Sequence, residues 1–174
     1  MNYTREEIIE LYKKLISKYP IVSLEDPLFE DDFEGYSILS KELKNTLIVG
    51  DDFFATNQQR LKKGIELSSG NSIILKINQI GTITEAFEVA AIALKNGYNV
   101  IVSNRSGDTE ESFIADFAVG LNTKLIKAGA IERNERVSNY NQLLRIEEEL
   151  GDEAQYAGKE FMNILKKSIR NNDN

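Results

Sequence analysis

Val100-Ile101-Val102-Ser103-Asn104-Arg105-Ser106-Gly107-Asp108-Thr109-Glu110-Glu111, with Ser112 to Asp116 after it, is the stretch that decides how this chain reads. An apolar run stops abruptly in a polar turn, and a helix-like stretch follows. A buried strand that ends this way turns its last side chains toward a cleft, which is how an α/β unit builds an anion site. Arg105 offers a fork of donors matched to phosphate or carboxylate, and Ser106 adds a hydroxyl. Taken alone, the same residues also describe a solvated loop ahead of a helix. The remaining strand ends decide between the two.

Outward from this stretch the same events repeat. Apolar runs at 21–24, 46–50, 72–77 and 124–130 read as strands. Helical patterns at 33–43, 57–64, 84–95, 113–121 and 134–150 fall between or after them. Thr4 and Glu7 form a capping box ahead of a first amphipathic helix, which Pro20 stops. Asn96-Gly97 closes the helix at 84–95. Strands alternating with helices at intervals of roughly 25 residues mean βαβ units and a parallel sheet. The fold class is therefore α/β. Residues 1–174 make one domain by size, with a further helix over 159–170 (Phe161, Leu165 and Ile169 on one face) and a frayed end after it.

Composition removes several function classes. The 174 residues contain 21 Lys+Arg and 28 Asp+Glu, a formal charge of -7. That balance repels the phosphates of a nucleic acid. No apolar run is long enough to span a membrane and no signal peptide opens the chain, so the expected compartment is the cytoplasm. There is no cysteine, hence no disulfide or thiolate chemistry. There is no histidine, hence neither the commonest general base nor the commonest zinc ligand. A metal here would be held by carboxylates, which favours magnesium.

Each strand runs into a charged residue: Glu25, Asp51, Lys76, Arg105 and Lys127. In a parallel arrangement these ends share one face. Glu25 and Asp51 would repel each other unless a divalent cation lay between them, although each could equally cap a helix or sit in a solvated turn. Lys76 interrupts an apolar run. Desolvation there lowers a lysine's affinity for its proton, and Lys127 and Arg105 nearby would act in the same sense. The alternative is an exposed pleat of an edge strand. Asp26, Asp31, Asp32 and Glu147 to Glu149 read as solvated faces. Two acids, two lysines and an arginine point to a reaction class: a metal polarises a carboxylate, a lysine removes the proton α to it, and the arginine holds a phosphate or similar anion.

These residues resemble the C-terminal part of enolase, phosphopyruvate hydratase. The resemblance rests on Ser23-Leu24-Glu25-Asp26-Pro27-Leu28, Val49-Gly50-Asp51-Asp52, Leu75-Lys76-Ile77-Asn78-Gln79-Ile80-Gly81-Thr82, Ser103-Asn104-Arg105-Ser106-Gly107-Asp108-Thr109-Glu110 and the run from Tyr140 to Gly151. They occur in family order and cover nearly the whole chain. The resemblance implies a partial TIM-type (β/α) barrel made of the last five of eight strand–helix units. It implies that Glu25 and Asp51 match Mg2+ ligands, and that Lys76 matches the base acting on 2-phosphoglycerate. Ser103, Asn104, Arg105, Ser106 and Lys127 then match the substrate-binding positions. The family usually carries histidine where this chain has Asn104, and asparagine cannot carry a proton at pH 7. The third metal carboxylate, the acids on the leaving-hydroxyl side and the loops that close over substrate belong to units not found among these residues.

Three readings follow. The chain is a C-terminal enolase half completed by a partner carrying the N-terminal half. Or it is a non-catalytic enolase-like protein that binds a partner or a small phosphorylated acid. Or it is a fragment with no role of its own. In the first, the Mg2+ site of the isolated chain is weak and incomplete. In each, five strands cannot close an eight-stranded barrel, and some of the strand residues such as Ile73, Leu75, Ile101 and Ile126 should lose packing partners. Self-association across the open side, or cover by the C-terminal segment, is the expected remedy.

Overall fold

Thr4 opens the first helix as its sequence predicts: its hydroxyl accepts from the Glu7 amide while the Glu7 carboxylate accepts from the Thr4 amide. The computed structural model describes residues 3–158. In chain order they form α1 (Arg5–Lys18), β1 (Ser23–Glu25), α2 (Phe33–Glu42), β2 (Leu47–Gly50), α3 (Gln58–Leu67), β3 (Ser72–Lys76), α4 (Ile77–Ile80), α5 (Ile83–Lys95), β4 (Asn99–Ser103), α6 (Phe113–Gly120), β5 (Leu125–Lys127) and α7 (Asn134–Leu150), then a 3-10 turn at Gly151–Glu153. Asn57 and Thr82 cap α3 and α5 with side-chain oxygens, as such residues do ahead of an apolar period. The helix and tail expected after residue 158 lie outside the described residues. Among the described residues no helix is long and apolar enough to cross a membrane.

The five strands lie in sequential order and every neighbouring pair is parallel. Parallel neighbours need a crossover, and a helix makes each one. The sheet is curved into a half-barrel: Lys127 on one edge strand and Glu25 on the other meet in an ion pair at 2.5 Å.

Several boundaries differ from the sequence reading, and three strand ends have a visible backbone cause. Strand β1 is displaced toward its C-terminus and stops where Asp26 takes a φ of 42°. Strand β5 is only three residues long, because Lys124 (φ 65°) and Gly129 (φ 85°) break the extended backbone on either side. Ile77 leaves the sheet to start α4: the Lys76 amide donates to Thr56 Oγ1 at 2.9 Å.

Alternation along each strand sorts its side chains into two layers. Ile48, Ile73, Leu75, Val100, Val102 and Ile126 belong to the large cluster that includes Tyr36, Leu39, Phe53, Phe54, Leu61, Val89 and Phe117. Leu47, Val49 and Ile74 belong to a second, smaller cluster, with Ile101 and Leu125 against it. The expectation of lost packing partners is corrected for Ile73 and Leu75 and holds in part for Ile101. Ile73 and Leu75 are fully buried and Ile126 packs against the main core. On the second layer Val49 and Ile74 are also fully buried, and Ile101 and Leu125 are half-buried.

Candidate active site

The same alternation carries functional side chains to one rim. Glu25 follows Ser23, Asp51 follows Val49, Lys76 follows Ile74, Ser103 follows Ile101 and Lys127 follows Leu125, each two positions on and so on the smaller-cluster face. Lys76, Ser103 and Lys127 are level with one another in the ladder. Lys76 Nζ lies 2.6 Å from Asp51 Oδ2 and 2.7 Å from Oδ1. Lys127 Nζ reaches Glu25 at 2.5 Å and approaches Asp51 Oδ2 to 3.8 Å. The Ser103 hydroxyl donates to the Lys127 carbonyl at 2.8 Å. The side chains of Lys76 and Asp51 are 13% and 11% exposed, against 46% for Lys127. Lys76 is thus desolvated, as its apolar run predicts, but its immediate neighbour differs from the one expected. An Asp51 carboxylate grips the ammonium from both oxygens, instead of Lys127 and Arg105 surrounding it with like charge.

Residues that the sequence left on solvated faces hold this arrangement in place. Asp26 is one correction. Its Oδ1 accepts from the Asp51 amide and its Oδ2 from the Asp52 amide, both at 2.8 Å. Tyr36 donates to it at 3.3 Å. Burial first, then the Asp26 charge and this hydrogen bond, push the Tyr36 hydroxyl well above its ordinary pKa. Asp26 therefore shapes the turn that presents Asp51. Asp32 is a second correction: it caps α2 through the Gly35 amide and pairs with Arg5 at 2.8 Å. Asp31 is exposed but pairs with Arg60 at 2.9 Å. Glu147 to Glu149 are exposed, as expected. Thr56, buried and at a φ of 51°, accepts from Lys76 and donates to Gln79 at 2.7 Å, so it fixes the end of β3.

The β4–α6 turn lines a cavity of about 260 Å3 together with the rim of β3 and β5. Its lining includes Asn104, Arg105, Ser106 and Asp108 of the turn, Lys76 and Ser103 of the strand ends, and Lys127, Gly129 and Arg136. Arg105 and Ser106 are exposed at the mouth. The Asn104 amide group donates to Asp108 Oδ2. Sequence reasoning passed over Asp108 and Arg136. Asp108 is one of several acids in a polar run, and Arg136 carries no signal beyond its place in a periodic helix.

Magnesium requires several hard oxygen ligands in near-octahedral array. Glu25 and Asp51 supply hard carboxylate oxygens from adjacent strands, and a positive charge, the Lys127 ammonium, is already held between them. In kind they fit as two ligands of such an ion. In number they do not make a cage: among the described residues no three acidic, histidine or cysteine side chains cluster to hold a metal. An ion that dehydrates reluctantly gains little from two carboxylates alone.

The sequence is similar to that of known proteins over most of its length. Residues 1–165 match the family model described as "Enolase, C-terminal TIM barrel domain". Proteins named enolase are similar throughout the same region. That of Methanococcus vannielii is 58% identical over 160 residues, covering 92% of this chain and 37% of its own length. That of Methanocaldococcus jannaschii is 55% identical over 158 residues, covering 91% and 37%. That of Pyrococcus furiosus is 56% identical over 165 residues, covering 94% and 38%. The chain therefore spans a little over a third of the length of the curated relatives it matches.

Proposed function

The chain belongs to the family of enolase C-terminal TIM barrel domains, and from that premise we propose that it forms one half of an enolase site. The reaction is dehydration of 2-phosphoglycerate to phosphoenolpyruvate. It proceeds only when the chain is joined by the barrel units and N-terminal domain that supply the other half, whichever polypeptide carries them. The observation that supports this most is the convergence of Glu25, Asp51, Lys76 and Lys127 from four strand ends on one rim, with Lys76 and Asp51 largely desolvated.

In this reading Arg105 and Ser106 hold the phosphate and Lys127 holds the carboxylate end of the substrate. Lys76 accepts the proton α to that carboxylate. To do so it must part from Asp51, whose two-oxygen grip describes a resting state. Glu25 and Asp51 would hold magnesium, which when bound supplies positive charge to the substrate carboxylate as negative charge builds there. Ser103 fixes the end of β5, where Lys127 stands, by its bond to that residue's carbonyl. No acid for the departing hydroxyl is assigned among these strand ends, and a base without that acid lowers only part of the barrier.

The test is complementation. The chain alone, with 2-phosphoglycerate and magnesium, should show no turnover approaching about 1 per second, the lower end of ordinary enzymes. Added to a chain carrying the missing units it should restore dehydration, and Lys76→Ala should abolish what is restored. Restored activity indifferent to Lys76→Ala would defeat the assignment of the base. A second reading, a non-catalytic protein that binds a phosphorylated acid, is favoured by Asn104, which holds Asp108 where the family usually places a histidine. It would be upheld by substrate binding without turnover in the completed assembly.

A further inference from the structure

Arginine side chains in folded proteins find acceptors. Among the described residues, Arg5 pairs with Asp32 and Glu34, and Arg60 with Asp31 and two backbone carbonyls. Arg133 approaches Glu135, and Arg145 donates to Gln142. Two arginines have no acceptor among the described residues: Arg105 and Arg136. Both line the same cavity. Arg136 stands in the first turn of α7 and folds back against the loop that follows Lys127. A β-carbon at Gly129, where φ is 85°, would collide with the guanidinium. Its Nε–H is buried and unpaired. Asp108, which also lines the cavity, has its Oδ1 buried and unpaired, while Asn104 occupies Oδ2.

We propose that Arg136 is a second anion-binding arginine of this cavity, acting with Arg105, and that Asp108 Oδ1 accepts a hydrogen bond from the same ligand. The group that satisfies all three carries at least two anionic oxygens and one O–H. A phosphoryl group with one protonated oxygen has that pattern, and two guanidinium forks suit it better than one. This deepens the enolase reading by adding a residue to the phosphate side of the site, and it rests on that reading only for the ligand's identity.

Inorganic phosphate is the probe, titrated into the full chain near pH 7 and followed by calorimetry. Arg136→Gln should weaken phosphate binding about tenfold or more, and Arg136→Lys should recover only part of the loss, since a point charge replaces a planar fork. Asp108→Asn should weaken binding severalfold if an O–H is donated to it. Arg145→Gln, outside the cavity, should bind as the unaltered chain does. Circular dichroism with thermal melting checks that each variant is folded. Equal affinity in Arg136→Gln and the unaltered chain overturns the proposal, and so does an unaltered chain that does not bind phosphate. Turnover is not read in this experiment, so loss of the dehydration reading leaves the proposal standing, and the reverse is also true.

Discussion

Replacing Asp26 with alanine should destabilise the chain by about 4 kcal/mol. Two short hydrogen bonds run from the Asp51 and Asp52 amides into its carboxylate. A hydrogen bond to a charged group contributes roughly 1.5–3 kcal/mol, and a half-exposed acceptor belongs at the lower end, giving about 3 kcal/mol for the pair. Asp26 also holds a φ of 42°. Aspartate tolerates that left-handed region and alanine does not, which adds about 1 kcal/mol. The sum is a large share of the roughly 5–15 kcal/mol that keeps a domain folded. It corresponds to a fall in melting temperature of about 10 °C for a chain of this length. Asp26→Asn separates the two causes: it tolerates the backbone conformation and keeps one acceptor oxygen, so it should cost about 1–2 kcal/mol. Urea unfolding followed by circular dichroism measures both. An alanine variant within about 1 kcal/mol of the parent would refute the view that Asp26 builds the Asp51 turn. Equal losses in both variants would assign the effect to charge alone.

Three other outcomes are expected. Calorimetry with magnesium should find weak binding or none in the free chain, because two carboxylates already engaged by lysines offer little to a strongly hydrated ion; micromolar affinity would require a third ligand. Alkali should destabilise the fold. Burial pushes the Tyr98 hydroxyl up to about 12, above its unfolded value of 10, so its contribution is complete below pH 10 and is lost as pH rises toward 12; urea midpoints at pH 9 and pH 11 should converge in Tyr98→Phe relative to the parent. Finally, β1 and β5 leave edge backbone open to pairing, so light scattering should find the chain associated and not simply monomeric; a monomer that stays soluble after truncation beyond Gly158 would contradict this.

The rim residues were legible because local rules place them. Once Val49, Ile74, Ile101 and Leu125 share a face, Asp51, Lys76, Ser103 and Lys127 must follow, since period two is dictated by the extended backbone. The helix start at Thr4 was legible for a similar reason: a capping oxygen acts within three residues. What stayed hidden depends on contacts made at long range. Asp26 meets amides 25 and 26 positions away, and Lys76 ends its strand because Thr56, 20 positions earlier, takes its amide. Nothing near Arg136 in the chain announces that Gly129 will make room for it. The grip of Asp51 on Lys76 was hidden for the same reason, since the two side chains lie on strands whose pairing sequence alone states only as a topology.

The ion pair between Lys127 and Glu25 has a geometric meaning beyond its own modest energy. In a ring of eight strands, five consecutive ones span four of eight intervals, which is half a turn. Their outermost members then face each other across a full diameter. A lysine on one and a glutamate on the other act as a strut across the mouth, bracing an arc whose radius strand tilt and register set. An added set of strands would find its two landing edges already held near the spacing a closed ring requires. It would have to complete the circle but not to bend the wall, and high salt, by loosening the strut, should slow that completion more than it weakens the wall itself.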